Sequence, residues 1–332
     1  MTRFVVSTVF LLAVAVCVPG LSPAAPPTQL SSWSEKGTGP INAMAALPTR
    51  GHIALACRDG IIRIIDPTKS SVVSRLDSKE GNLDFVIADP KEKWVAGIHR
   101  NGAMCVWDLE KREVTRRFSD ETRLGNARGI AGADGDTIIT FNPFQEVDPA
   151  LYVWNVATGK EVRKMEAHKD VPKHVASREG GAKIVSAEYR GTTIVWDGKT
   201  GRVLRQFELG GRPYDIRSMP KTSLIVIEVD MKGVAVWDTR DGKKQWEVNL
   251  KPYLTDIAVS PAGDRIAVGD QDFVRILDAS TGKQLERYQA YVGTAVHSLQ
   301  YWDQGTLLIT VGSGENFHDR TVDSEIKVWK LE

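Results

Sequence analysis

Short apolar runs recur along the whole chain, broken by clusters of Gly, Asp, Asn and Pro. Many alternate apolar with small or polar residues, the period expected of a strand with one face more buried than the other. The clearest is Thr192-Thr193-Ile194-Val195-Trp196-Asp197, which ends in a Trp-Asp pair. Trp107-Asp108, Trp154-Asn155, Trp237-Asp238 and Trp329-Lys330 end similar runs, and Ile65-Asp66 and Leu277-Asp278 hold the same place without the Trp. Successive intervals from Ile65 onward are 42, 47, 42, 41, 40 and 52 residues.

Each interval has room for four strands. In the fourth repeat they run Val171 to Ser177, Lys183 to Tyr189, Thr192 to Asp197 and Val203 to Glu208. Tight-turn signals separate second and third strands, as in Arg58-Asp59-Gly60 and Arg100-Asn101-Gly102. A recurring turn joins third to fourth, in Thr158-Gly159-Lys160, Thr200-Gly201-Arg202, Asp241-Gly242-Lys243 and Thr281-Gly282-Lys283. A period near 40 with four strands per unit predicts an all-β, seven-bladed β-propeller of four-stranded blades. The seventh repeat has three strands and no fourth. Leu30–Lys36 precedes the first repeat where a fourth strand would stand, so it is expected to complete the last blade. Such closure removes an exposed sheet edge.

These residues resemble the WD-repeat β-propeller family, of a bacterial and exported type, over roughly Leu30 to Glu332. In the fourth repeat His168 lies 28 residues before Trp196, the family's His-to-Trp spacing, and Ser186 sits at its strand hydroxyl. The resemblance implies a buried Trp–Ser–His–Asp network, but the Asp position reads Arg190, and no repeat shows the full set. Apolar packing is therefore expected to dominate. Trp107, Trp154, Trp196, Trp237 and Trp329 are the structural repeat residues. The stretch Asp241-Gly242-Lys243-Lys244-Gln245-Trp246 also resembles a quinoprotein docking repeat, in a single copy.

Composition narrows the function. Lys plus Arg number 43 against 42 Asp plus Glu, so no basic excess draws the chain to nucleic acid. Arg3 followed by the apolar run Phe4–Val18 and by Ser22-Pro23-Ala24 reads as a signal peptide over residues 1–24. The expected product is periplasmic or extracellular, without stable membrane insertion. A retained N-terminal anchor is the alternative. Residues 25–29 form a linker, and the propeller occupies 30–332. Cys57 and Cys105 fall on different sheets, which sit about 10 Å apart, too far for a bridge. Two buried free thiols are expected.

No catalytic motif is present, no metal site is expected and no cofactor is implied. His99 is expected half-exposed before its turn, and His297, on an inner strand, could face the central channel. Two insertions, Asn142–Pro149 and Gly312–Ser324, both join second to third strands and so rise from one face. A partner surface is expected there from Arg58, Arg100, Phe144, Tyr189, Arg190, Asp230, Asp270, Phe317, His318 and Arg320. The function expected is a monomeric, non-catalytic scaffold binding a protein or peptide through this loop face. The alternative is a propeller enzyme or cofactor carrier, hydrolytic or quinone-dependent, at the channel mouth.

Overall fold

The computed structural model describes residues 27–144, 148–230, 232–250, 254–312 and 323–331. They form seven four-stranded antiparallel sheets, each with its strands in consecutive order except the last. Blade 1 is Ile41–Leu47, His52–Cys57, Ile61–Asp66 and Ser71–Asp77; the next five repeat this plan. Blade 7 takes its outermost strand from the other end of the chain. Thr28–Trp33 pairs antiparallel with Glu325–Lys330, placing Gln29 opposite Trp329 and Trp33 opposite Ile326. The closing strand begins two residues earlier than the expected segment and ends at Trp33. Ser34–Lys36 instead lies beyond the strand, where Glu35 meets Arg63 and Arg75 of blade 1 at 3.2 and 3.0 Å.

Why seven sheets make a ring is visible in the core. Its buried apolar residues divide into seven clusters, one at each blade–blade contact. The cluster of Leu55, Cys57 and Ile65 with Trp302, Ile309 and Val328 joins blade 1 to blade 7. Trp107 packs between blades 1 and 2, Trp196 between 3 and 4, and Trp237 between 4 and 5. Cys57 and Cys105 are buried free thiols in different clusters, and burial pushes the Cys57 thiol up to about 12. The turn glycines serve the same contacts. Gly282 has φ +72° and sits under the Trp246 ring, where a Cβ would come within 2.8 Å. The single docking-type copy seen in the sequence is thus a blade-to-blade contact, and Phe207 covers Gly242 in the same way.

The polar network also departs from expectation. Trp196 Nε1 donates to Ser186 Oγ at 2.7 Å, Ser186 Oγ lies 2.6 Å from His168 Nε2, and His168 Nδ1 lies 3.0 Å from Glu188. Glu188, not Arg190, holds the acidic position, two residues earlier than the turn alignment suggests. A glutamate's extra methylene lets it reach the imidazole from the strand end. Burial outweighs Glu188 and lowers the His168 pKa, so the neutral ring relays the chain. Partial versions occur in blades 3 and 7, where Trp154 and Trp329 donate to Thr140 and Thr310. His99 is fully buried rather than half-exposed, held between Ser78 Oγ and the Gly81 carbonyl. A one-turn helix, Glu121–Leu124, which the strand pattern does not announce, links blades 2 and 3.

Candidate functional site: the loop face and the channel beneath it

The turns between second and third strands hydrogen-bond to the segments joining successive blades. Arg58 N donates to Pro40 O, Arg100 N to Asn82 O, Tyr189 N to Val171 O and Asp230 N to Arg212 O, at 2.9–3.0 Å. These two loop types therefore share one face. Local strand geometry then decides which side chains stand out from it. Six of the seven first strands carry a register shift near their start, as at Pro172/His174, Pro213/Asp215 and Val296/Ser298. A bulge re-aims one residue. The residues skipped in these three are Lys173, Tyr214 and His297.

Over blades 3 to 5 Lys173 and Tyr214 meet the turns. Phe144 is 69 % exposed, Tyr189 and Tyr214 each 41 %. Two cations lie against their rings. Lys173 Nζ sits 5.9 Å from the Phe144 centroid and 5.3 Å from that of Tyr189, and it bonds the Pro143 carbonyl. The Arg212 guanidinium lies 4.4 Å from Tyr189 and 4.8 Å from Tyr214. The result is a row of aromatic ring, cation, ring, cation, ring, preformed by cation–π contacts. Arg190 borders it, paired with Asp170 at 3.1 Å.

The other residues singled out from sequence are spread differently. Arg58 and Arg100 lie on blades 1 and 2, Arg58 packed on Gly39 and Arg100 paired with Asp84. Asp230 is half-buried on blade 5. Asp270 is 6 % exposed and held by Arg275 at 2.6 Å, inside its own blade. Phe317, His318 and Arg320 lie outside the described residues. Lys173, Arg212 and Tyr214 escape the sequence reading. Their signal is the pair of Pro-led breaks in alternation, Pro172-Lys173-His174 and Pro213-Tyr214-Asp215.

Below this face the first strands of all seven blades line a channel cavity of about 600 Å³. Its wall is charged on one side. Arg217 bridges Asp215 and Asp256, each at 2.8 Å, and His174 lies 3.5 Å from Asp215. Asp256 also accepts from Leu299 N at 2.7 Å and Ser298 Oγ at 3.1 Å. Burial dominates the pKa of Asp256 and pushes it up to about 7 despite Arg217. In Asp215, Arg217 and His174 overcome burial and hold the carboxyl well below the usual range. Glu228, opposite Asp215 across the sheet, is raised to about 8 by burial and by the two aspartates. His297 does line the channel. Among the described residues no group of three or more His, Cys, Asp and Glu side chains is arranged to hold a metal, and no helix is long and apolar enough to cross a membrane.

Comparison with known proteins agrees with this geometry. A family model described as outer membrane protein assembly factor BamB matches residues 148–291 and again 230–316, together just over half of the chain. THO complex subunit 3 of Arabidopsis thaliana is 30 % identical over 132 residues, covering 38 % of this chain and 42 % of its own. Zinc finger CCCH domain-containing protein 59, also of Arabidopsis thaliana, is 23 % identical over 183 residues, 54 % of this chain and 36 % of its own. The chain thus matches less than half the length of either relative. With seven four-stranded blades, Trp at the repeat positions and a family match over more than half its length, the chain belongs to the β-propeller family that carries the BamB description.

Proposed function

We propose that this propeller is a non-catalytic scaffold whose loop face binds an extended, acidic segment of another protein. The observation that carries the reading is the ring–cation row from Phe144 to Tyr214. Exposed aromatics and arginine are the residue types that dominate protein interfaces. The cations between the rings favour a segment bearing Asp or Glu together with an apolar side chain. Because cation–π contacts hold the row in place, little ordering cost falls on the propeller when it binds. The similar proteins support association as a role. One is by name an assembly factor and another a subunit of a complex. Export fits the same reading. It is supported by the apolar leader at residues 4–18 and by the outer membrane named in the family description.

The test is a display selection of random peptides on the full chain, with titration of the enriched sequences. Peptides rich in Asp or Glu with an aromatic or aliphatic residue are expected. Tyr189→Ala and Arg212→Ala should each weaken their binding by about tenfold or more, the loss typical of an interface hot spot. Selection of no peptide, or of peptides indifferent to both substitutions, refutes the reading.

A further inference from the structure

The channel carries an unbalanced charge that the loop-face reading does not use. Register places one residue of each first strand at the same level. Ala43, Phe85, Arg128, His174, Asp215 and Ser298 each pair with the residue three after the one facing the repeat Trp position, and Asp256 sits beside the bulge of blade 6. Arg128, His174, Asp215 and Asp256 are therefore neighbours in blade order around the wall.

The two arginines of this wall differ. Arg217 is fully engaged by Asp215, Asp256 and the Ile257 carbonyl. The Arg128 side chain has no hydrogen bond or ion pair among the described residues, although it is open to the channel. Burial within the channel and the charge of Arg217 both weaken its hold on its proton, only partly offset by Asp215 and Asp256. A guanidinium on the wall of a partly enclosed cavity, with no counter-charge among the described residues, is free to take one from a ligand. Two imidazoles stand within reach of its field. Burial lowers the pKa of both His174 and His297, with Arg128 adding to it. His297 likewise has no hydrogen-bond partner among the described residues. Below about pH 7 the carboxylates do not supply the missing charge: Asp256 and Glu228, raised to about 7 and about 8, keep their protons, Asp215 is balanced by Arg217, and Asp84 by Arg100 at 3.0 Å.

We propose that the channel is a binding site for one small organic anion, bearing a carboxylate or a phosphate, whose charge is met by Arg128, with His174 on the next blade and His297 elsewhere on the same channel wall. Guanidinium pairs with either oxyanion through two parallel hydrogen bonds. The cavity, about 600 Å³, is of the size small-molecule sites take. Asn42, Ser298 and Gln300 in the wall offer neutral hydrogen bonds to the rest of such a molecule.

Calorimetric titration of the full chain with citrate and with glucose 6-phosphate at pH 6 tests this and separates the two oxyanions. At least one is expected to bind saturably, at one site per chain. Arg128→Gln should weaken that binding by about tenfold or more, the loss of a charge-assisted pair, without lowering the unfolding midpoint, since Arg128 has no partner to lose. Arg128→Lys, which keeps the charge, should retain more of the affinity than Arg128→Gln does. Absence of saturable binding by both probes, or affinity that Arg128→Gln leaves unchanged, overturns the proposal.

Discussion

Individual residues here are held away from their ordinary ionisation by their place in the ring, and Glu228 shows it most simply. It interrupts a strand run that is otherwise apolar, Leu224–Val229, and is 7 % exposed. Burial, then the negative charges of Asp215 and Asp256, raises its pKa from 4.5 to about 8. The folded state therefore binds this proton more tightly than the unfolded chain. The sign follows from linkage: the stability Glu228 allows is fully present below about pH 4.5 and is lost as pH rises toward 8. Glu228→Gln fixes the neutral form. Its unfolding midpoint should match the native chain at pH 4.5 and exceed it at pH 8. Equal midpoints at pH 8 would place this carboxyl in a solvated setting instead. Neighbouring histidines with lowered pKa values act in the opposite sense, gaining stability as pH rises through their range. The difference between variant and native chain, rather than either curve alone, isolates Glu228.

A blade becomes more than four paired strands where its Trp finds a polar partner. In blade 4, Trp196, Ser186, His168 and Glu188 tie the third strand to the second and to the segment entering from blade 3. Ser186→Ala leaves a buried Trp N–H and an imidazole without their bonds, at a cost of about 1–3 kcal/mol each for unsatisfied groups. Chemical denaturation of the variant should show a loss of about 2–6 kcal/mol for the two groups together. A loss within experimental error would mean the network adds nothing to apolar packing. Blade 5 is the natural contrast, since apolar Ile227 stands at the position Ser186 holds in blade 4 and the Trp237 N–H lacks a partner among the described residues. At this scale the sequence is highly legible. Period-2 runs and Gly turns place nearly every strand, because those signals are local. What hides is whatever depends on a bulge. A one-residue register shift turns Lys173 and Tyr214 out of the alternation, and the ring–cation row does not follow from strand pattern alone; His297, skipped by a like shift, still lines the channel as its inner strand predicts. Glu188 hides for a related reason. Counting from the turn points to Arg190, whereas the strand's own register brings Glu188 to His168.

For the whole molecule, closure decides whether seven marginal sheets act as one. A lone sheet of this size cannot bury both faces, and each blade here covers its neighbour through one of seven apolar clusters. The two ends of the described chain are joined at several points. Thr28–Trp33 pairs with Glu325–Lys330. Asp323 accepts from Gly37 N and Gly39 N at 2.9 and 2.8 Å, and these bonds outweigh burial to hold its carboxyl below the usual range. Glu35 meets Arg63 and Arg75 of blade 1. One strand thus completes blade 7, and the segment after it latches blade 1 beside it. The loop-face row and the channel both require the ring to stay shut. The most direct measurement is thermal unfolding of the chain with Thr28–Lys36 removed, beside the intact chain. The midpoint should fall by about 5 °C or more, as when a few kcal/mol of pairing are lost from a domain of this size. An unchanged midpoint would contradict it, because the ring would then be closed without its terminal strand.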